Sequence, residues 1–374
     1  MPPVTIDGTS GITTPMYGGA ITANAVTPSV NMKSRIINGA MVIDQRNAGA
    51  SVTQNTSGTQ YSLDRWNIYG TQASKFTVQQ NAGSVTPPAG FTNYFGVTSS
   101  SAYSLNGSDT FWFQQLIEGF NTADLDFGKS TAKTITISFW VRSSLTGTFG
   151  GVLKNSATDR NYPFSFTINS ANTWEYETIT ITGDTSGTWI GATNGLGLMV
   201  RFSLGSNYTG TAGAWAGGYI DAPTGQTNLV GTNGATFYIT GVQLEVGTTA
   251  TSFDYRPYGT ELALCQRYCN VYGENAYSVF GTWGWAFSST GFASITPFPV
   301  EMRAVPTVSY TGNTRGVNGT DSIAITSAVF NTSNSNKKIA VVEPSVASGL
   351  TVNRGYTWSA NNDATARVTF SAEL

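Results

Sequence analysis

The chain has 374 residues, of which 40% are hydrophobic and 11% charged, with a formal net charge of −2 and no histidine. That length has room for two ordinary domains, and the charged share is less than half the ~25% usual for globular proteins. Its surface must therefore be built from Thr, Ser, Asn and Gly, as in extracellular or particle-borne β-proteins. No Lys/Arg cluster marks a nucleic-acid footprint, and no apolar run approaches the ~20 residues of a membrane-spanning helix. The lack of histidine disfavours hydrolases built on a His base and most zinc or iron catalysis.

Residues 1–33 scatter isolated apolar residues among Gly, Pro and Thr breakers, a composition that does not offset its own ordering entropy. The expectation is an extended arm that orders on a partner. No basic-then-apolar signal pattern opens it. Residues 34–257 read as a jelly-roll β-sandwich. It opens on INGAMVIDQRNAG, a strand and polar turn, and continues with strands at Trp66–Tyr69, Lys75–Gln79, Thr110–Ile117, Lys133–Arg142, Tyr162–Ile168, Trp174–Thr182, Leu196–Leu204 and Ala235–Glu245. In KTITISFWVR, Ile135, Ile137, Phe139 and Val141 share one face and Thr134, Thr136, Ser138 and Trp140 the other, the alternation of a half-buried strand. Gly, Asn, Ser and Asp separate the runs, as hairpin and sandwich loops require.

Arg256–Pro257 ends this region, and the one convincing helical run follows, Glu261–Tyr272. There Leu262, Cys265, Cys269 and Tyr272 keep helical spacing. That stripe faces either its own sandwich or the same helix in neighbouring copies. The two cysteines, four apart on this helix, favour packed thiols over a bridge, and two thiols without histidine do not fill a four-ligand metal site. Residues 258–374 then return to short strands, from GTWGWAFSS to ARVTFSAEL, which suit a second, smaller β-sandwich. The fold class is all-β throughout, with this short helix at the joint.

Three passages together resemble a known family. INGAMVIDQRNAG with YSLDRW, then ISFWVRSS, TWEYETITITGD and YITGVQLEVGTTATSFDYRP, are similar to the carbohydrate-binding-module-like jelly rolls of bacteriophage tail fibres. The continuation ELALCQRYC, MRAVPTV and SAEL looks like the receptor-facing end domain of such fibres. The resemblance covers roughly residues 36–374. It implies a homotrimeric virion-surface protein that is held to other phage structural proteins by its N-terminal arm. Such a protein binds host-surface polysaccharide without catalysis. A decoration protein that stabilises the capsid or tail, with incidental glycan binding, is the alternative. In the homotrimer, Leu262, Cys265, Cys269 and Tyr272 would hold the copies together, so the joint is expected to be a subunit contact and not a ligand site. Modules of this kind often hold a structural calcium, for which Glu245 is the candidate; no other cofactor is implied.

Glycan recognition needs flat aromatic faces for the C–H side of sugar rings and planar polar groups for hydroxyls. Trp215, Tyr219 and Asp221 sit in a glycine-rich loop that is hard to place in a core, which leaves a binding role, a packed loop or a subunit contact. Tyr356 and Trp358 alternate on one strand, which argues for core. Yet Asn361, Asn362 and Asp363 follow at once and would set amides and a carboxylate beside an aromatic, a receptor contact. Trp283, Trp285 and Phe287, alternating on another strand, read as core. Glu118, Asp124 and Asp126, and Glu175 with Glu177, are acidic groups at strand ends and loops that show no cleft for a glycosidase pair.

Overall fold

The computed structural model describes residues 32–56, 58–319 and 321–374, together with the backbone of two short antiparallel strands, β1 (Thr5–Asp7) and β2 (Gly11–Thr13). The remainder of the expected N-terminal arm lies outside the described residues. In chain order there follow β3 (Val52–Thr53), β4 (Gln60–Leu63), β5 (Trp66–Gly70), β6 (Phe76–Gln80), β7 (Phe95–Ser99) and β8 (Thr110–Glu118). Then come β9 (Ile135–Ser143), β10 (Gly147–Lys154), β11 (Asn161–Ile168), β12 (Glu175–Ile181), β13 (Leu196–Ser206), the short pair β14 (Thr209–Gly210) and β15 (Ala222–Pro223), and β16 (Thr236–Val246).

These form two six-stranded antiparallel sheets, β11-β10-β13-β8-β5-β4 and β12-β9-β16-β7-β6-β3, packed face to face. The alternation read in β9 holds: Ile135, Ile137, Phe139 and Val141 are fully buried between the sheets. Phe113 lies at the centre of the core, stacked on Phe95 at 4.8 Å and on Phe202 at 5.1 Å. Rings from both sheets interlock there, which fixes their register more tightly than aliphatic packing alone.

The expected opening strand is absent. Met32–Ala50 runs as turns and irregular chain, with Asn38 and Met41 at positive φ. The reason is Asn38, fully buried, whose amide binds both the carbonyl and the N–H of Ile43 and the carbonyl of Asp64, so local side-chain bonds take the place of a ladder.

The helix is shorter than its pattern suggested. α1 spans Tyr258–Gln266, and Cys269 opens a strand, β17 (Cys269–Gly273). Tyr268, Val271 and Tyr272 are residues that favour strands, and the partner strand that receives β17 wins over local helical spacing. Further on lie β18 (Gly284–Trp285), β19 (Ser294–Pro297), β20 (Thr307–Thr311), β21 (Thr314–Asn318), β22 (Asp321–Phe330), β23 (Ile339–Val346), β24 (Gly355–Ala360) and β25 (Arg367–Ser371). Sheets β17-β25-β20 and β18-β24-β21-β22-β23-β19 enclose a second core around Phe280, Phe292, Tyr356, Trp358 and Phe370. Bridges Thr282–Ile295 and Ala286–Phe292 bring the two edges of the six-stranded sheet together.

Between the two cores, Ile37 and Ile43 pack with Cys265 and Tyr268. Charges surround this joint. Arg65 is 1% exposed, binds Glu373 and stacks 3.4 Å over the Tyr268 ring. Arg46 reaches the same Glu373 at 3.0 Å, and Arg267 grips Glu118 at 2.8 and 2.9 Å. The two halves are therefore joined through ion pairs in which Arg65, Glu373 and Glu118 are buried and would be costly to leave alone.

Candidate functional site

An open groove of about 310 Å³ crosses the outer face of the β12-β9-β16 sheet, lined by Phe91, Trp140, Tyr176, Phe253 and Tyr255, with Ser138 and Gly241 among its other lining residues. Each ring arrives by a separate local cause. Trp140 is on the outward face of β9, as the alternation required. Tyr176 is its cross-strand partner on β12, and the ring centroids stand 5.2 Å apart. Cross-strand pairs of this kind hold each other in place.

The other wall depends on a β-bulge in β16. The pairing of β16 with β9 shifts between Thr240 and Gln243, with Gly241 at φ 63° inside the shift. A Cβ on Gly241 would meet the Phe91 ring at 2.6 Å, so the ring of Phe91 rests on the bare backbone. Phe253 and Tyr255 then close around Phe91, with centroids at 5.1 and 5.5 Å.

The loop carrying Phe253 and Tyr255 is pinned by the two polar residues of the strand that precedes it. Glu245 accepts from the Thr251 N–H at 2.8 Å and its hydroxyl at 2.7 Å, and from Gln243 at 2.7 Å. Gln243 in turn accepts from the Asp254 N–H at 2.8 Å. For Glu245, the calcium candidate, the structure shows protein partners. Both oxygens of Glu245 are committed to its own loop, and among the described residues no group of three or more acids, cysteines or histidines converges on a metal site. Glu245 positions the groove wall.

Behind the same three rings is a smaller pocket of about 110 Å³, lined also by Asp254, Arg256 and Glu261. Arg256 lies 3.5 Å from Asp254 and 3.4 Å from Glu261, and donates to the carbonyls of Ser34 and Ile36. The groove thus offers stacked ring faces on one side and a fixed, internally paired set of charges at its back. None of the residues lining the larger groove is an acid. The arrangement can hold a flat, C–H-rich ring by stacking, and it offers no acid–base pair at the rings.

The residues singled out from the sequence fall elsewhere. Trp215 caps the sandwich end: its ring meets Phe127, Tyr162 and Trp189 within 5.7 Å, and its indole N–H donates to the Thr182 carbonyl at 2.7 Å. Asp221 is fully buried, bound to Lys154 at 2.8 Å, to Arg201 and to the Thr110 hydroxyl. Those two cations hold its carboxyl below the usual range against the cost of burial, while burial and Arg201 push the Lys154 amine down to about 8. Tyr219 alone of this loop keeps an exposed ring, laid over Lys154 at 3.9 Å.

Tyr356 and Trp358 are both fully buried, packed on Phe292 and Phe280, so they are core and not receptor contacts. Asn361, Asn362 and Asp363 shape a turn. Asp363 accepts from Thr365 and from the Asn313 N–H, and these donors hold it down to about 2. Asn362 takes a positive φ there, and Asn361 donates its N–H to the Asn313 carbonyl.

The supposed subunit stripe does not exist as one face. Cys265 is buried on α1 and Cys269 on β17, both as free thiols. Leu262 packs on the joint cluster, and Tyr272 meets Phe370 and donates its hydroxyl to the Pro297 carbonyl. All four find partners within the chain. The segment just before α1 supplies Phe253 and Tyr255 to the groove wall. Among the acids considered for catalysis, Glu118 is spent on Arg267, Asp124 on Arg35, and Glu175 on the backbone of Asn169 and Ser170.

No protein-family model matches the chain, and no curated protein matches it. Solved structures show partial likeness. The enzymatically active domain of tailspike protein 4 from bacteriophage CBA120 is 12% identical, over 57% of this chain and 22% of that one, at a TM-score of 0.32. A family 4 carbohydrate-binding module is 18% identical, over 56% of this chain and 98% of that one, at 0.27. The family 11 carbohydrate-binding module from Clostridium thermocellum, solved with a mixed-linked tetrasaccharide, is 12% identical, over 55% and 100%, at 0.28. Among the described residues, no helix is long and apolar enough to cross a membrane.

Proposed function

We propose that this chain is a non-enzymatic glycan-binding protein of a phage virion surface, and that the aromatic groove on the β12-β9-β16 sheet is its sugar site. The observation that carries the reading is the open groove itself: five rings converge on a sheet face, two of them, Tyr176 at 46% and Tyr255 at 53%, well exposed. Contiguous exposed apolar surface of this kind marks binding sites for ligands or partners, and a groove floored with ring faces suits a sugar. The tail-fibre resemblance of the strand motifs supports placement on a virion, with residues 1–33 as the attachment arm and a homotrimer as the working form. Cys265 and Cys269 are buried within the chain, so of that stripe only the half-buried Leu262 and Tyr272 are open to a neighbouring copy. Host-surface polysaccharide is the ligand in this reading, bound weakly per site and strongly through linked copies.

The test is a glycan array and a host-cell adsorption assay with the purified chain. Tyr176→Ala and Tyr255→Ala are each expected to lower affinity about tenfold, or ~1.4 kcal/mol, while costing about 1 kcal/mol of stability through the lost ring pairs. Unchanged binding in the double variant would place the sugar elsewhere. Release of reducing sugar from bound polysaccharide would overturn the non-enzymatic reading.

A further inference from the structure

The second aromatic feature of the surface lies in the C-terminal half. Trp283, Trp285 and Phe287, expected in the core, are 64%, 52% and 48% exposed, while Gly284 and Ala286 between them are buried. Alternation is real here, but its apolar face is the outer one. Small residues at 284 and 286 leave the inner side of the strand to Phe292, Tyr356 and Trp358, which already fill it.

Two of the three exposed rings are seated on glycines. A Cβ on Gly355, the cross-strand partner of Trp285, would strike the Trp283 ring at 2.8 Å. A Cβ on Gly291 would strike the Phe287 ring at 2.7 Å. Each ring therefore rests against bare backbone on one side while roughly half or more of the residue stays open to solvent. The surroundings are neutral. From Asn275 to Val300 the chain has no charged residue, and the rim is Thr282, Ser288, Ser289 and Thr290. The nearby cations are engaged, Arg354 with Asp321 at 3.6 Å and Arg315 over the Tyr277 ring at 4.8 Å.

We infer that Trp283, Trp285 and Phe287 form a second binding face, separate from the groove, whose ligand is an uncharged polysaccharide chain. Alternate residues of extended chain repeat at ~6.6 Å on one face, which sets the three exposed side chains in a row. A polymer of sugar rings can lie along such a row by stacking, and its hydroxyls meet the Ser and Thr rim. A charged polymer finds no counter-charge there to offset its desolvation.

The test uses the full chain and oxidation of indoles by N-bromosuccinimide, followed by peptide mass spectrometry. The probes are hydroxyethylcellulose and dextran as neutral polymers and polygalacturonate as the charged control. In the free protein Trp283 and Trp285 are expected to oxidise first. One of the neutral polymers should slow them about tenfold, polygalacturonate should not, and the protection should persist in the groove variant Tyr176→Ala/Tyr255→Ala. In native gels containing that polymer, Trp283→Ala/Trp285→Ala should lose about tenfold in affinity. Protection by neither neutral polymer overturns the inference, as does protection by polygalacturonate equally. Protection that appears without polymer and grows with protein concentration assigns the face to a second copy of the chain instead. Loss of protection in the groove variant shows that the face has no site of its own, whereas loss of array binding with protection intact discards only the groove.

Discussion

Single residues shape the groove at one remove. Glu245 is not among the residues that line it, yet it and Gln243 hold the loop that carries Phe253 and Tyr255. Glu245→Ala is expected to weaken glycan binding about as much as removing a ring, roughly tenfold, and to raise the mobility of residues 250–255. Hydrogen exchange of that loop separates this effect from direct contact. A second residue sets a pH response. Burial pushes the Asp64 carboxyl up to about 6, against the pull of Arg46 and the bonds from Gln45. Its folded pKa lies above the ordinary value near 3.8. Between these two values the folded chain holds a proton that the unfolded chain has lost. This group's contribution therefore makes stability rise as pH falls through 6 and level off below 4, by at most ~1.4 kcal/mol per pH unit. Denaturant unfolding of wild type and Asp64→Asn at pH 5 and pH 7 checks it, since the variant loses this increment. At this scale the sequence was only partly legible. Alternation aimed Trp140 outward correctly. The same alternation in Trp283–Trp285 and in Tyr356–Trp358 reads identically, and only the closure of the six-stranded sheet decides which pair fills the core.

Elements were most legible where side chains carry the pattern and least where glycine does. β10, GTFGGVLK, shows no side-chain alternation because three of its eight residues are glycine. It is a strand under close approach: a Cβ on Gly151 would lie 2.0 Å from the Arg201 carbonyl oxygen, and one on Gly150 2.1 Å from that of Phe164. Gly151→Ala should therefore cost about 3 kcal/mol or more, because backbone on the neighbouring strand cannot give way as a flexible side chain would. Gly191→Ala, with nothing within 4 Å of its Cβ, is the matched control and should stay within ~0.5 kcal/mol. Gly259 in the first turn of α1 is equally open. Gly259→Ala should raise stability by about 0.5 kcal/mol, by restricting the unfolded chain. Thermal melts of the three variants test the set. The over-long helix reading has the opposite cause. Leu262 to Tyr272 keeps helical spacing, but from Tyr268 on, pairing with β25 outweighs local preference.

For the whole molecule, the two halves are held in one orientation by the Arg65–Glu373–Arg46 cluster, the Arg267–Glu118 pair and the exchange between Arg303 and Asn194. Glu373→Gln should cost about 3 kcal/mol, because Arg65 would remain buried without its charge partner. It should also speed hydrogen exchange in β17 and β25 before it affects β9 or β16. Uniform change across both cores would show that the joint is not a separate cooperative element. The resemblance motifs carry all three members of this cluster, Arg46 in INGAMVIDQRNAG, Arg65 in YSLDRW and Glu373 in the terminal SAEL, but no local spacing shows that they meet. One device recurs in both halves: a ring laid on a glycine, Phe91 on Gly241, Phe287 on Gly291 and Trp283 on Gly355. This separates two kinds of inheritance. On the proposed reading the rings can be exchanged for other rings, shifting taste for one sugar or another at little structural cost, whereas a side chain at any of the three seats would push its ring out of place. Descendants of this sequence under pressure to recognise new surfaces should therefore drift at 91, 283 and 287 while glycine stays fixed at 241, 291 and 355.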